Sequence, residues 1–194
     1  MNGYQKWTQG YGSLWGEVGD RLIEAGAYDC VVWALPAIGG TTVQDWTEGT
    51  YKDRNLVAIR RMKAAGLTLG GCISLIGESD GIARTDPAIF KARYLRMIEA
   101  VRSEAGAGLP CYVAQDTWAY GLKSETIRRA QRELVDPVEG NFFGGDLDQF
   151  GDAYRYDEVA GPTRNRRVHP NAKGRSAMAK EIATAILTAN RHQA

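Results

Sequence analysis

The stretch LGGCISLIGESDG, residues 69–81, decides the fold of this chain, because an apolar run ends there in two glycines that enclose Glu78, Ser79 and Asp80. The small and apolar residues 69–76 predict a strand that is buried on both faces, and the polar residues after it cannot continue that strand. We therefore expect the chain to turn sharply at the carboxyl end of this strand. Ligands bind at that edge of an open parallel sheet, so functional side chains are expected there.

The rest of the chain alternates between apolar runs and helical periodicity. These patterns predict strands at residues 30–35, 69–76, 110–114 and 140–144, and helices near residues 13–26, 56–66, 86–106, 124–135 and 178–189. Such alternation implies right-handed crossovers and an α/β fold, a three-layer α/β/α sandwich of flavodoxin-like type with a mostly parallel sheet. The length of 194 residues favours a single domain over residues 1–194.

The composition excludes several classes of partner. Lysine and arginine, 24 together, nearly balance the 23 aspartates and glutamates, so neither nucleic acid nor a membrane is a predicted partner. No apolar run approaches the ~20 residues of a membrane span, and residues 1–12 do not resemble a signal peptide. A soluble chain is expected, and its compartment is left open.

The cysteines do not predict a metal site. Cys30, Cys72 and Cys111 each fall in a predicted strand, and their spacing matches neither a zinc site nor a disulfide framework. They are interpreted as buried thiols, and no cofactor is predicted.

The segment GESDG has the form Gly-x-Ser-x-Gly, the nucleophile elbow of α/β-hydrolases, which would make Ser79 a nucleophile on a turn between strand and helix. That elbow should run directly into a helix. Here residues 82–85 intervene, and Pro87 marks a new helix start. The sequence therefore favours a turn or helix-capping role for Ser79, with the nucleophile as the alternative.

A second set of motifs covers nearly the whole chain. The loop AIGGTT (residues 37–42) with Trp46 just after it, the segment GESD, and VHPNAKG (residues 168–174) at the last helix follow one another in a recognisable order. In order and spacing they resemble the SGNH hydrolases, and most closely the sialate O-acetylesterase-like carbohydrate esterases. The resemblance implies an esterase or deacetylase that acts on an acetylated carbohydrate or a related small ester through serine–histidine–aspartate chemistry.

The resemblance also assigns residues. It makes Gly40 the glycine whose N–H binds the oxyanion and His169 the general base, and it puts Glu78 and Asp80 beside the pocket or in the contacts that hold its loop. A backbone N–H at a glycine can approach an oxyanion closely, and removing one such donor typically costs about 3 kcal/mol of barrier. Histidine suits a general base because its ordinary pKa of roughly 6.5 is near neutral pH. The other histidine, His192, is interpreted as part of a C-terminal tail without a role.

The chain departs from the family pattern around the base and the oxyanion. Arg166 stands where the family has an aspartate, so Asp157, or else Asp152, would have to reach back and orient the imidazole of His169. Ile76 replaces the family's glutamine before GES.

The family's nucleophile block, a strand followed by GQSNM-x-G, matches this chain only from Met1-Asn2-Gly3 onward. Our hypothesis is that the strand and its serine lie upstream of Met1, or that the chain is a degenerate homologue. Ser13 is expected to cap a helix and not to attack. Without a central strand, the neighbouring strands would meet directly, or residues 1–12 or a second copy of the chain would fill the gap, which would favour a homodimer.

Two other functions stay open at this point. The departures favour a non-catalytic module with the same fold that binds a glycan or a protein, and the GESDG motif allows an α/β-hydrolase that uses Ser79. Trp15, Trp33 and Trp118 could form a sugar-stacking face, although aromatic side chains in such a fold more often belong to the core.

Overall fold

The computed structural model describes residues 13–156, 159–160, 164–165 and 168–193. Six α-helices lie in these ranges: α1 Leu14–Glu24, α2 Arg54–Ala64, α3 Glu78–Ala83, α4 Pro87–Ala105, α5 Glu125–Glu133 and α6 Ala172–Gln193. The strands are β1 Cys72–Ser74, β2 Cys111–Gln115, β3 Asn141–Asp146, β4 Val159–Ala160 and β5 Arg164–Asn165.

Three of the strands form a parallel sheet in the order β1-β2-β3. Cys72 lies opposite Cys111, and Cys111 lies opposite Asn141 on its other side. The short strands β4 and β5 pair separately as an antiparallel ribbon. This topology confirms the predicted α/β fold with a parallel sheet, although the sheet is small and the chain is mostly helical.

The strand β2 lies in the middle of the molecule, and all of its residues are buried. Its alternating side chains serve two separate cores, as the period of two in a strand requires. Tyr112 packs in a cluster with residues of α1 and α6, whereas Cys111 and Val113 pack with residues of α4 and α5. Helices therefore cover both faces of the sheet, which is the predicted three-layer arrangement.

Two of the predicted helix starts are confirmed by their caps. The Asp86 carboxylate accepts hydrogen bonds from the N–H groups of Ala88 and Ile89 at 2.9 and 3.1 Å, with Pro87 at the first helical position. The hydroxyl of Ser13 accepts from the N–H of Trp15, so Ser13 caps α1 as predicted. These ends follow from local chemistry, and this is why the sequence revealed them.

The predicted strand at residues 30–35 is wrong, because residues 30–38 have no regular secondary structure. Val32 is 53% exposed and Leu35 45% exposed. Within the described part of the chain the sheet ends at β1, and residues 30–35 do not pair with its open edge. The expectation for residues 69–76 is correct in place but too long, since β1 covers three residues that are only half-buried.

The prediction of three buried cysteines in strands is correct only in part. Cys111 is buried in β2 and Cys72 is half-buried in β1, but Cys30 is exposed and lies outside any strand. His192 lies within the last turn of α6 and not in a separate tail. Among the helices that the structure describes, none is both long enough and apolar enough to cross a bilayer.

Candidate active site

A cavity of about 1840 Å³ opens between residues 30–42 and the strand β1 and reaches the carboxyl edge of the sheet. Its wall includes Gly40, Ser79, Asp116 and His169, which come from four different parts of the chain. Parallel strands bring the loops at their carboxyl ends together in this way. Three of the predicted site residues, Gly40, Ser79 and His169, therefore line one cavity.

The loop that carries Gly40 is held by its own side chains. The hydroxyl of Thr41 donates to the carbonyl of Ile38 at 2.8 Å and accepts from the indole N–H of Trp46 at 2.9 Å. Gly40 has a φ of +77°, a backbone conformation that side chains other than glycine rarely adopt. Gly40 is exposed and lines the cavity.

Asp80 is fully buried and holds this loop through hydrogen bonds. Its carboxylate accepts a hydrogen bond from the N–H of Val43 at 2.9 Å and one from the hydroxyl of Thr85 at 2.9 Å. Burial raises the pKa of Asp80, although both hydrogen bonds act to lower it. The side chain therefore ties α3 to the Gly40 loop and does not reach the cavity.

We expect Asp80→Ala to lower the free energy of unfolding by about 1–3 kcal/mol, because the buried N–H of Val43 would lose its acceptor. Asp80→Asn keeps an oxygen that can accept the same hydrogen bond, so it should cost less. Urea denaturation of the three proteins measures the difference. Equal losses in the two variants would contradict the assigned role of the Val43 hydrogen bond.

The segment GESDG forms a helix and not the turn that we expected. The short helix α3 begins at Glu78, directly after Gly77, so Ser79 is the second residue of its first turn. A Cβ on Gly77 would lie 2.5 Å from Nε2 of Gln131 and 2.7 Å from the carbonyl oxygen of Asp116. Glycine is thus required there by close packing between the ends of β1 and β2. Glu78 and Ser79 both line the cavity.

His169 is exposed at the cavity, and its backbone is fixed on both sides. Its carbonyl accepts from the N–H of Tyr156 at 3.0 Å, and the carbonyl of the preceding Val168 accepts from the guanidinium of Arg155. The described neighbours therefore fix the place from which the imidazole projects.

The residues after His169 explain the motif VHPNAKG. The carboxamide oxygen of Asn171 accepts from the N–H of Gly174 at 2.9 Å, and its NH₂ group donates to the carbonyls of Ala153 and Arg155, each at 3.2 Å. A Cβ on Gly174 would collide with the carbonyl oxygen of Tyr154. The motif thus joins the start of α6 to residues 153–155 and holds the histidine loop between them.

The proposed orienting carboxylate from the sequence, Asp157, lies outside the described residues, as does Arg166. Asp152, the second choice, begins a single turn of 3₁₀-helix at Asp152–Tyr154 and is exposed.

Sequence reasoning missed Asp116. It follows directly after β2, it is only partly exposed, and it lines the same cavity as His169. Burial and the negative charge of Asp148 raise the pKa of Asp116 to about 6, against an opposing influence of Arg155 and His169. The signal available in the sequence was an acidic residue directly after a buried strand, at the edge where ligands bind.

The raised pKa gives a prediction about stability. An Asp116 carboxylate with a pKa of about 6 in the folded chain and roughly 3.9 in the unfolded chain costs stability in its ionised form. That cost is fully present above pH 6 and absent below about pH 4. We therefore expect Asp116→Asn to be more stable than the parent at pH 7, by up to about 3 kcal/mol.

Urea denaturation of both proteins between pH 4 and pH 8 tests this expectation. The two stabilities should converge toward pH 4. Equal stabilities across the whole range would mean that the folded protein does not perturb this carboxyl group.

The three tryptophans do not act as one surface. Trp15 and Trp33 line the cavity, and their rings pack 5.1 Å apart at an angle of 45°. Trp118 lies under the guanidinium of Arg155, 5.7 Å from the ring centre, and is not part of the cavity wall. Any sugar-stacking face would therefore consist of Trp15 and Trp33. Among the described residues, no group of three or more histidine, cysteine or acidic side chains could hold a metal ion.

Comparison with known proteins gives a family match over most of the chain. The family described as "Carbohydrate esterase, sialic acid-specific acetylesterase" matches residues 19–188. No curated protein sequence matches the chain closely enough to be reported as a relative.

Two solved structures resemble the chain over nearly its whole length. A crystal structure of an acetyl esterase mutant with an acetate ion has a TM-score of 0.59 and 15% identity, over 91% of this chain and 90% of that one. A carbohydrate esterase family 3 protein from Talaromyces cellulolyticus has a TM-score of 0.59 and 14% identity, over 93% of this chain and 92% of that one. At these identities the likeness shows a common fold, which is of the SGNH type.

Proposed function

Because the chain belongs to the sialic acid-specific acetylesterase family of carbohydrate esterases, we propose that it removes acetyl groups from a carbohydrate, with His169 as general base and the N–H of Gly40 at the oxyanion. The observation that carries this proposal is that Gly40 and His169, far apart in the sequence, line one cavity at the carboxyl edge of the sheet. Family membership favours this function over a binding module and over an α/β-hydrolase.

The chemistry needs a serine that attacks the acetyl carbonyl. His169 accepts the proton of the serine hydroxyl and then donates it to the sugar alkoxide that leaves. A water molecule then attacks the acetyl-serine while His169 takes its proton. His169 returns this proton to the serine oxygen as the bond to the acetyl group breaks, and acetate is released. The N–H of Gly40 stabilises the negative charge on the carbonyl oxygen in both tetrahedral states.

Two residues of this scheme stay predictions. The family pattern puts the nucleophilic serine upstream of Met1, and Ser79 is the alternative within the chain. Ser79 lies in the first turn of α3, where the backbone is helical, and this disfavours it, because a nucleophile elbow places its serine on the strained turn itself. Asp157 remains a proposed partner that would orient the imidazole of His169.

The test combines acetate release with covalent labelling. The chain as printed and a chain extended upstream of Met1 are assayed on O-acetylated sialic acid and on an acetylated neutral sugar, and each is treated with a fluorophosphonate that reacts with activated serines. Acetate release and a label on an upstream serine in the extended chain alone would support the proposal in full.

A label at Ser79 of the printed chain, abolished by Ser79→Ala, would replace the proposed nucleophile. Glycan binding without acetate release by either chain would contradict the esterase and favour the binding module.

We also propose a homodimer in which a second copy covers the open edge of the sheet. In the described residues, β1 has a neighbour only on the β2 side, so the backbone groups of Cys72–Ser74 on its other side are open to pairing. We expect sedimentation equilibrium of the printed chain to show a concentration-dependent dimer. A monomer throughout the micromolar range would contradict this arrangement.

A further inference from the structure

Asp116 lies at the edge of the sheet where the proposed base, His169, is also found. It stands at the carboxyl end of the central strand β2, next to the end of β1, where its carbonyl oxygen packs closely against Gly77. Asp116 belongs to the wall of the cavity that also contains His169. The two residues therefore line the same cavity from different loops.

The backbone next to Asp116 is held rigidly. The buried carboxylate of Asp148 accepts from the N–H groups of Thr117 and Trp118 at 2.8 and 2.9 Å, and from the hydroxyl of Thr117 at 2.6 Å. The guanidinium of Arg128 neutralises Asp148 from the far side at 2.8 Å. The turn after Asp116 is thus held by hydrogen bonds to Asp148, and the charge of Asp148 is paired with Arg128.

Burial and the negative charge of Asp148 raise the pKa of Asp116, whereas Arg155 and His169 act to lower it. Arg155 is already engaged: its guanidinium donates to the carbonyls of Phe150, Val168 and Leu147. It is therefore a fixed charge that also anchors the histidine loop through Val168. Of Arg155 and His169, only His169 changes its charge during the proposed reaction.

We propose that Asp116 is a positioning residue that orients the imidazole of His169 and stabilises its protonated form. The family has an aspartate three residues before the histidine, and this chain has Arg166 at that position. Asp116 would perform the function of that aspartate. This inference rests on the proposed esterase function, and it replaces Asp157 in that part.

The kinetic test uses whichever chain, printed or extended, releases acetate. We expect Asp116→Asn to lower kcat by about 10- to 1,000-fold, within the roughly 10²–10⁴-fold that a general base contributes, with KM within about two-fold of the parent. Asp116→Glu should restore part of the loss, because it returns the negative charge. The matched variant Asp20→Asn changes an exposed aspartate of α1 that is not part of the cavity wall, and it should keep kcat near that of the parent.

A large loss in Asp157→Asn together with parental activity in Asp116→Asn would overturn the proposal. The pH profile separates positioning from folding, because a merely structural residue would scale kcat equally at all pH values. In Asp116→Asn the loss should be accompanied by a shift of the acid limb of the kcat profile.

A second readout needs no activity. In the printed chain, the ¹³C signal of the Asp116 carboxyl group is followed by NMR as a function of pH, with and without His169→Gln. Since the charge of His169 acts to lower the pKa of Asp116, the variant should raise that pKa. An unchanged titration would overturn the proposal.

These results distinguish failure of the proposed role of Asp116 from failure of the proposed esterase function. An unchanged titration in a chain that releases acetate refutes only the role of Asp116. Failure of both chains to release acetate refutes the esterase, and with it the role of Asp116, whatever the titration shows.

Discussion

His169→Gln is expected to lower kcat for acetate release by about 10²- to 10⁴-fold, the contribution typical of a positioned general base. Glutamine has nearly the reach of histidine but cannot accept the serine proton. The carbonyl of residue 169 would still accept from the N–H of Tyr156, and the wild-type side chain is exposed, so the fold should be unaffected. Initial rates on an acetylated sugar, together with a thermal melt, measure both effects.

The chain contains its own control for this substitution. It has two histidines, and His192→Gln changes the one near the end of α6. That variant should keep the parental kcat. If His169→Gln retained more than about a tenth of the parental kcat, His169 would not be the base.

Arg128→Met is expected to lower the free energy of unfolding by about 3–5 kcal/mol, the cost of leaving buried charge without its partner. The Arg128 side chain is 8% exposed and contacts Asp146 and Asp148, with Nη1 at 2.8 Å from an oxygen of each. A second bond joins Nη2 to Asp146 at 2.9 Å. Methionine fills a similar volume but leaves both carboxylates uncompensated.

The effect should depend on pH in a defined direction. Burial acts to raise the pKa of Asp146, but the hydrogen bonds and charge of Arg128 outweigh it, so the pKa is lowered. A lowered pKa contributes stability above the unfolded value of roughly 3.9, and that stability is lost as the pH falls through the folded value. The difference between parent and Arg128→Met should therefore be largest near pH 7 and shrink below about pH 4.

Arg129→Met is the matched control on the same helix. The Arg129 side chain is 65% exposed, and its nearest carboxylate, on Glu133, is 3.9 Å away. We expect a change below about 0.5 kcal/mol, as for other exposed pairs. Urea denaturation of the three proteins at pH 7 makes the comparison, and similar losses in both variants would contradict the buried network.

The sequence by itself determined the features that depend on local chemistry. Asp86 followed by Pro87 marked the start of α4, because a carboxylate that binds free N–H groups and a proline that lacks one both suit a first turn. The apolar period in α6 identified the face that is buried, including Ile182 and Ile186. The order of motifs indicated the family, and the family match confirms it.

Only the tertiary structure decided the rest, because those features depend on groups distant in the chain. Residues 30–35 have the composition of a strand, but a strand forms only when its backbone pairs with a neighbour, and among the described residues they pair with no strand. Gly77 packs against Gln131 directly before α3, and Asp116 and His169 line one cavity because two loops converge at one sheet edge. Composition and spacing carry no information about such contacts, so the local pattern could propose His169 as a base but could not show that Asp116 lines the same cavity.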